Sequence, residues 1–291
     1  MIYSFIHKHR FQFRVEKMCS VMNVSRSGYY KWVTRKPSEQ EKRRQKLKKR
    51  IRHHFDGFKQ RYGSDKIAEK LREEGWTVST KTVSRYMKDM GLRSITVKKQ
   101  KATTNSKHNM AVFENVLNRA FKPDAPNRVW VADITYIATR QGWVYLASIM
   151  DLYSRKIVGW SLGERMTKEL VLDAFDKAVL HRKPPKGLIH HSDRGSQYAS
   201  TEYCERLAAN EMIGSMSRKG NCYDNACIEA FHSVLKKELI YQTTFKTRKQ
   251  AYDAIYEYIE LEYNRIRIHS SIHYLTPHQS EKRYYEQLQI A

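Results

Sequence analysis

Residues 127–137 read NRVWVADITYI, a run of β-branched and aromatic residues with one acid in its middle. Residues of these types are enriched in strands, so the run predicts a buried β-strand. Asp133 has the apolar residues Val131 and Ile137 on its own side of that strand. A carboxylate in an apolar strand is costly unless it is paired or binds a metal ion, so Asp133 is predicted to have a function.

Around this run, predicted strands and helices alternate in the order βββαβαβα. Strands joined by short turns indicate an antiparallel meander, and strands separated by helices indicate crossover connections. The predicted fold is therefore α/β, with a mixed five-stranded sheet flanked by helices. The predicted strands are residues 127–137, 143–151, 156–162, 187–195 and 213–217, and the helices are residues 170–179, a segment from Thr201, and residues 225–239.

Two further acids stand where metal ligands are expected. Asp193 follows the end of a predicted strand, and Glu229 lies near the edge of the apolar stripe of its helix. Each acid alone is equally consistent with a surface or edge residue. Together with Asp133 they suit Mg²⁺, which takes one or two carboxylates per ion. Two ions sharing these carboxylates would clamp the attacking and leaving oxygens of a phosphoryl transfer.

The chain of 291 residues carries 54 Lys+Arg against 30 Asp+Glu, a formal net charge of +24. Residues 1–108 hold 29 of the basic residues and 9 of the acids, so the first third carries most of the excess. This imbalance predicts a polyanion such as nucleic acid as partner. A basic surface kept for solubility or ribosome association is the alternative.

Composition also excludes two classes of protein. Mean hydropathy is −0.73 and no apolar run approaches 18 residues, so a membrane span is not expected. Four cysteines are too few for a disulfide scaffold, and the N-terminus lacks a secretory cleavage site. A cytoplasmic protein is therefore predicted.

A helix-turn-helix pattern occurs twice in the basic third. In residues 14–34, a first apolar helix ends at Asn23 and Ser25 is the predicted N-cap of a second. Residues 62–92 repeat the pattern, with Ser79 or Thr80 as the N-cap of the second helix. Four side chains point outward from that helix, as contacts with phosphates and base edges in a major groove require. These predicted DNA-binding residues are Lys81, Thr82, Arg85 and Lys88, and a helical module that binds nothing is the alternative.

These patterns divide the chain into six segments. The basic stretch between the two helix-turn-helix units is predicted to be a linker helix that follows phosphates, with a solvated charged helix as the alternative. The segments are a helix-turn-helix at 1–40, the basic linker helix at 41–57, a second helix-turn-helix at 58–97, a polar linker at 98–125, a catalytic core at 126–245 and a C-terminal helical extension at 246–291.

Further basic residues lie close to the acids in sequence. Arg218 and Lys219 belong to a loop after the fifth predicted strand, and this loop is a candidate for holding a DNA end. Lys236 lies two turns after Glu229 on the same helix face, which favours contact with a DNA phosphate over a plain surface lysine. His232 is predicted either to contact substrate or to be a polar residue of the helix face.

The last helix is predicted to present one apolar stripe. Core packing against the catalytic domain is the favoured interpretation, with an interface between protomers as the alternative. The predicted stripe consists of Tyr252, Ile255, Tyr256, Ile259 and Tyr263.

At three places the sequence resembles insertion-sequence transposases of the OrfB type, which share the DDE integrase core with retroviral integrases. The matching segments are WVADITY at 130–136, HHSDRGSQY at 190–198 and DNACIEAFH at 224–232. Between Asp193 and Glu229 lie 35 residues, the separation for which this core is known. YGSDKIAEKL at 62–71 and YNRIRIHSSI at 263–272 also resemble family segments.

This resemblance implies an RNase H-like fold in which Asp133, Asp193 and Glu229 form the catalytic and metal-binding triad. It implies Mg²⁺ or Mn²⁺ as cofactor and DNA strand transfer as reaction, in which water and then a DNA 3′-hydroxyl attack a phosphodiester. The implied partners are the transposon ends and target DNA, further copies of the chain on that DNA, and an upstream-frame DNA-binding protein or a fusion to it. The implied location is the bacterial cytoplasm, in association with the nucleoid.

Three functions are consistent with these observations. The favoured hypothesis is a Mg²⁺-dependent DNA transposase. A non-catalytic DNA-binding regulator and an RNase H-type nuclease are the alternatives. The basic first third of the chain, with its two helix-turn-helix patterns, argues against the nuclease, because cutting RNA–DNA hybrids requires little recognition of duplex DNA.

Overall fold

The computed structural model describes residues 1–95, 112–218 and 221–290. The N-terminal third folds into two helical modules, each around its own apolar cluster. In the first module the Ser25 hydroxyl accepts a hydrogen bond from the N–H of Gly28 and caps the third helix, as predicted. The helices are α1 (Ile2–His9), α2 (Val15–Val21), α3 (Arg26–Val33), α4 (Glu39–Gly57), α5 (Ser64–Glu73) and α6 (Thr80–Asp89).

The basic helix α4 packs into the second module. Its residues Leu47, Ile51 and Phe55 are buried in one cluster with residues of α5 and α6. Spaced four residues apart, these three side chains form a narrow apolar stripe on an otherwise charged helix. The packing therefore joins segments 41–57 and 58–97, which the sequence patterns separate.

A mixed five-stranded sheet forms the centre of the second part of the chain, as predicted. The strand order is β3-β2-β1-β4-β5. The first three strands in sequence pair antiparallel, whereas β4 pairs parallel with both β1 and β5. The strands are β1 (Val129–Thr139), β2 (Gly142–Asp151), β3 (Ile157–Gly163), β4 (Ile189–Ser192) and β5 (Ile213–Met216).

Helices cover both faces of this sheet. On one face, Trp130 and Ala132 of β1 pack with α7 (Lys168–Arg182) and α8 (Thr201–Ala209). Gly159 of β3 allows α7 to approach closely, because a Cβ atom there would lie 2.3 Å from the carbonyl oxygen of Ala174.

On the other face, Val129 and Val131 of β1 pack with α9 (Ala226–Glu238) and the C-terminal helices. Residues 129–132 are thus buried on both sides, which is why this part of β1 is apolar throughout.

The predicted apolar stripe of the last helix is partly wrong. Ile255, Ile259 and Tyr263 are buried, whereas Tyr252 and Tyr256 are 46% and 51% exposed and lie beside the ring of Trp160. The buried face is centred on Ile255. Successive residues of a helix are rotated by about 100° around its axis, so Tyr256 points away from that face. The segment consists of α10 (Arg248–Glu257) and a π-helix (Tyr258–Ile266), and α11 (Pro277–Ile290) follows.

The chain reaches the core before residue 126. Leu117 is buried in one core cluster and its N–H donates to the Ser215 hydroxyl at 3.2 Å. Phe113 packs on the other cluster, over Gly214 of β5. Residues 113–121 of the predicted linker therefore lie against the catalytic core, and residues 96–111 fall outside the described part of the chain.

No helix within the described ranges is both long enough and apolar enough to cross a membrane.

A buried ionic cluster attaches α11 to the sheet. The Glu281 carboxylate, 7% exposed, accepts hydrogen bonds from Arg182 at 2.7 and 3.0 Å and from Lys156 at 3.0 Å. It also accepts a bond from the Ser154 hydroxyl, which donates in addition to buried Asp151. Burial alone would raise the pKa of Glu281, but Arg182 and Lys156 outweigh burial and hold this pKa below its ordinary value.

Replacing Glu281 by Gln should lower the free energy of unfolding by about 3 kcal/mol, because Arg182 and Lys156 lose their counter-ion in a buried site. Urea denaturation at pH 7 measures the effect. The difference from wild type should shrink as the pH falls below 4.5, since a carboxylate with a lowered pKa loses its contribution on protonation.

Glu286→Gln on the same helix is the control. That carboxylate is 57% exposed and lies 3.6 Å from Lys282, so its loss should change stability by less than about 0.5 kcal/mol. Equal effects of the two substitutions would contradict the role assigned to the buried cluster.

Candidate active site

The parallel register of β1 and β4 brings two of the predicted acids together. Ala132 pairs with Ser192, so the next residues along the two chains, Asp133 and Asp193, lie side by side. Neighbouring strands are about 4.8 Å apart, and paired residues point to the same face. Both carboxylates also act on one buried hydroxyl, that of Tyr198. Its pKa lies well above the ordinary value, mainly through burial and further through Tyr203 and these two charges.

A tight turn orients Asp193. The N–H of Gly195 donates to Asp193 Oδ1 at 2.9 Å. A side chain at residue 195 would crowd this carboxylate, since a Cβ atom there would lie 3.0 Å from the same oxygen. The Arg194 guanidinium donates to the carbonyl of Ser217 at 2.7 Å and ties the turn to the end of β5. Arg194 thus supports the loop.

His232 of α9 braces Asp133. Its Nδ1 lies 3.2 Å from Asp133 Oδ2, and its Nε2 lies 2.7 Å from the hydroxyl of Ser148. Ser148 is the residue of β2 paired with Asp133 in the sheet, so the ring bridges two neighbouring strands. The imidazole is buried, and it acts on the carboxylate rather than facing solvent. Neither predicted role of His232 included this contact.

The face of α9 that carries His232 also carries Glu229 and Lys236, one turn before and one turn after it. Glu229 is exposed to solvent. Lys236 is half-buried, with its Nζ 4.5 Å from the centre of the Tyr136 ring. Burial lowers the pKa of Lys236, and the nearby charge of Asp133 opposes that shift. Two of the three side chains on this face therefore interact with Asp133.

Asn225 attaches the start of α9 to β1. Its Nδ2 donates to the carbonyl of Ala132 at 3.0 Å, next to Asp133, and its buried Oδ1 has no hydrogen-bond partner among the residues that the structure describes. A buried amide oxygen of this kind usually has a partner. Sequence reasoning did not select Asn225, although its place directly before the apolar run of α9 marks it as a helix start.

The donor set at this site suits a hard divalent cation. Asp133 is 18% exposed and Asp193 is partly exposed, so their oxygens are accessible from solvent. Mg²⁺ is usually held by one or two carboxylates and completes its shell with water and substrate phosphates. Among residues 1–95, 112–218 and 221–290, no three His, Cys, Asp or Glu side chains form a group able to hold a metal ion. The triad with Glu229 stays a prediction.

The predicted DNA-end loop is anchored by Asp224, which is completely buried. Arg218 donates to this carboxylate through its backbone N–H and twice through its guanidinium, at 2.8–3.0 Å. Arg119 adds a bond at 2.8 Å. These hydrogen bonds, those of Arg218 first, hold the pKa of Asp224 well below its ordinary value. Arg218 is therefore engaged within the loop, and Lys219 lies outside the described residues.

The second module exposes most of the predicted recognition residues. Ser79 caps α6 by accepting a hydrogen bond from the N–H of Thr82. Lys81, Arg85 and Lys88 are exposed and follow one another at helical spacing. Thr82 is half-buried, with its hydroxyl 3.0 Å from that of Ser79, so it belongs to the cap. Contact with DNA stays a prediction for these residues.

Comparison with protein families finds an integrase core domain at residues 123–222 and again at 229–284, and an HTH-like domain at 42–100. The solved structures that resemble the chain include the simian T-cell lymphotropic virus intasome in complex with PP2A regulatory subunit B56 gamma. The identity is 16% and the TM-score 0.47, over 76% of this chain and 70% of that chain. Another is the HTLV-2 integrase catalytic core domain in complex with magnesium, at 18% identity and TM-score 0.41 over 54% and 98%.

Relatives in sequence extend over nearly the whole chain. The insertion element IS600 uncharacterized 31 kDa protein of Shigella sonnei is 45% identical over 92% of this chain and 99% of that protein. Transposase InsF for insertion sequence IS3A of Escherichia coli (strain K12) is 40% identical over 97% and 99%. The chain therefore belongs to the IS3 family of insertion-sequence transposases, with an integrase core preceded by an HTH-like domain.

Proposed function

We propose that the chain binds the ends of an insertion sequence and catalyses metal-dependent DNA cleavage and strand transfer into target DNA. The observation that carries the proposal is the register of β1 and β4, which sets Asp133 and Asp193 side by side beneath the face of α9 that carries Glu229. Membership of the transposase family supports the same class of reaction.

The proposed triad is Asp133, Asp193 and Glu229, with Mg²⁺ or Mn²⁺ as cofactor and two ions in the site. Bound metal would stabilise the charge that develops on the attacked phosphodiester and increase the nucleophilicity of the attacking oxygen. The protein's own contribution is orientation. His232 fixes Asp133, the N–H of Gly195 fixes Asp193, and Asn225 fixes the start of the helix that carries Glu229.

For the DNA contacts we propose three groups of residues. Exposed Lys81, Arg85 and Lys88 of α6, with Thr82 at its cap, would contact the duplex of the transposon end. Lys236 would hold a phosphate beside Asp133. The third group is the loop with Arg218 and Lys219, in which Arg218 would have to exchange its contacts with Asp224 for DNA.

The active form is proposed to be a homo-oligomer assembled on transposon ends and target DNA, in the bacterial cytoplasm and associated with the nucleoid. An upstream-frame DNA-binding protein, or a fusion to it, is a further proposed partner. A non-catalytic regulator and an RNase H-type nuclease are the competing functions. The adjacent acids Asp133 and Asp193 argue against a non-catalytic regulator. The exposed basic face of α6 argues against an RNase H-type nuclease.

Asp193→Asn and Glu229→Gln should each reduce cleavage and joining of end-DNA oligonucleotides by about 10³-fold or more, because each substitution removes a proposed metal-binding charge. DNA binding should persist. Gel assays of cleaved and joined products in Mg²⁺ measure the effect, and a chelator should have the same effect on wild type.

Asp173→Asn, at an exposed position of α7, is the matched control and should keep full activity. Full activity in both triad variants would exclude the metal mechanism. Binding without nicking by wild type would favour the regulator, and cutting of RNA–DNA hybrids without joining would favour the nuclease.

His232→Asn should lower the strand-transfer rate by about 10- to 100-fold without changing affinity for end DNA, because residues that orient metal ligands have effects of this size. Raising the Mg²⁺ concentration should restore part of the rate. A merely structural role would leave the Mg²⁺ dependence unchanged, and the exposed His181→Asn on α7 should behave as wild type throughout.

Arg85→Ala should weaken binding to end DNA by about 1–3 kcal/mol and reduce discrimination against unrelated duplexes, if the side chain contacts a base edge. Titration of both DNAs at fixed salt measures the two effects. Arg206→Ala on α8 removes an equal charge from a side chain that is 52% exposed and paired with Asp176. Equal losses in the two variants would show that α6 has no special role.

A further inference from the structure

The second helical module is joined to the catalytic core by a C-terminal segment. The Tyr62 hydroxyl donates to the carbonyl of Ile266 at 3.2 Å and accepts the N–H of Ile268 at 3.1 Å. Ile268 is completely buried in the apolar cluster formed by α4, α5 and α6. Glu262 forms ion pairs with both Lys59 and Arg61. The two family-like segments at 62–71 and 263–272 thus meet in the structure.

Beside this junction lies an open groove with a volume of about 320 Å³. Lys66 of α5 lines one wall, and Lys237 in the last turn of α9 lines another. Arg267 of the C-terminal segment contributes to it, as do Ser94 and Ile95 on the chain that leaves α6. The groove therefore lies where α5 of the second helical module meets α9, the helix that carries Glu229.

The cations of this groove fall into two classes. Arg267 is held by Glu238, with three guanidinium contacts to the carboxylate at 3.0–3.1 Å, and Arg61 is paired with Glu262. Lys66 and Lys237, in contrast, form no ion pair with any carboxylate of the described ranges. The groove thus presents two lysines whose charge is not neutralised by a direct partner.

Lys66 is partly withdrawn from water. Its Nζ lies 4.7 Å from the centre of the Tyr62 ring. Burial first, and the charge of Arg267 second, lower the pKa of Lys66 to about 7, while Glu238 opposes the shift. A desolvated cation without a counter-ion opposes folding, and an anion that enters the groove from outside would supply that counter-ion.

We propose that this groove holds a backbone phosphate of the bound DNA end, with Lys66 and Lys237 as the two side chains that contact it. The assignment rests on the proposed function. Lys237 lies eight residues after Glu229, about 12 Å along the helix at 1.5 Å per residue. A strand running from the second helical module to the acids would pass this point, and DNA carries a phosphate about every 3.4 Å along each strand.

The test combines protein variants with uncharged methylphosphonate substitutions placed one at a time along the end DNA. Binding is measured by fluorescence anisotropy in chelator, so that no chemistry occurs. At one position the neutral linkage should weaken wild type about five- to tenfold, and it should weaken Lys66→Gln and Lys237→Gln each by a clearly smaller factor, because only one of the two contacts is left to lose. Each variant should also reduce the slope of log affinity against log salt by about one.

A pH titration supplies a second readout. Wild-type affinity should fall about five- to tenfold between pH 6.5 and 8.5, because Lys66 must carry its proton to bind the phosphate, and Lys66→Gln should lack this fall. His269 also faces Lys66, but burial, with Arg267 and Lys66, lowers its pKa to about 2, so it stays neutral. The other charged groups that line the groove or face Lys66 are Arg61, Asp65, Lys237, Glu238 and Arg267.

Two controls separate this role from a structural one. Lys66→Gln should leave the melting temperature unchanged or raise it, since the substitution removes an unpaired buried charge. Lys249→Gln on α10 removes an equal charge from a side chain that is 83% exposed, and it should retain the response of wild type to every methylphosphonate.

The outcomes are distinguishable. A wild-type protein that does not bind end DNA at all would overturn both the proposed function and this assignment. If wild type binds end DNA but Lys66→Gln responds as wild type does to the methylphosphonate at every position, the assignment of a phosphate to the groove is overturned and the proposed function is not. Reduced sensitivity at the same position in both lysine variants would support it.

Discussion

Two like charges held side by side are the constraint on which the rest of this protein depends. Parallel pairing of β1 with β4 leaves Asp133 and Asp193 adjacent, and carboxylates this close repel each other unless a proton or a cation intervenes. The surrounding contacts keep both carboxylates in place. His232 contacts Asp133, and the N–H of Gly195 donates to Asp193. Two carboxylates that follow paired strand residues, and that are both partly exposed, suit a shared cation.

Much of this arrangement is visible in the sequence because the chemistry is local. Asp133 stands out since a buried strand is apolar on both faces there, and the capping serine of α3 stands out since its side chain bonds within three residues. The mixed sheet with helices on both sides, and the assignment to the transposase family, are confirmed for the same reason. Short-range patterns suffice to define elements and their order.

What the sequence does not reveal depends on pairs that are distant along the chain. Ser148 and His232 are 84 residues apart, so no local pattern links them, although they brace one catalytic candidate. The exposure of Tyr252 and Tyr256 depends on which face of α10 packs against the sheet. The basic helix α4 has only three spaced apolar residues in its stripe, which are too few to predict how it packs. Arg218, a basic loop residue predicted to contact DNA, is bonded to buried Asp224, a partner that the sequence pattern does not reveal.

The contact between Tyr62 and Ile268 spans 206 residues, and Ile268 completes the apolar cluster of the second helical module. During synthesis the chain emerges from the ribosome in order, so α4, α5 and α6 are exposed long before the side chain that fills their centre has been made. Long-range closure of this kind is slow, because the entropy of a large loop must be lost first. The second helical module therefore completes its packing together with the C-terminal part of the chain rather than ahead of it, and a nascent or truncated chain that lacks the C-terminal segment would have α6 on an incompletely packed support.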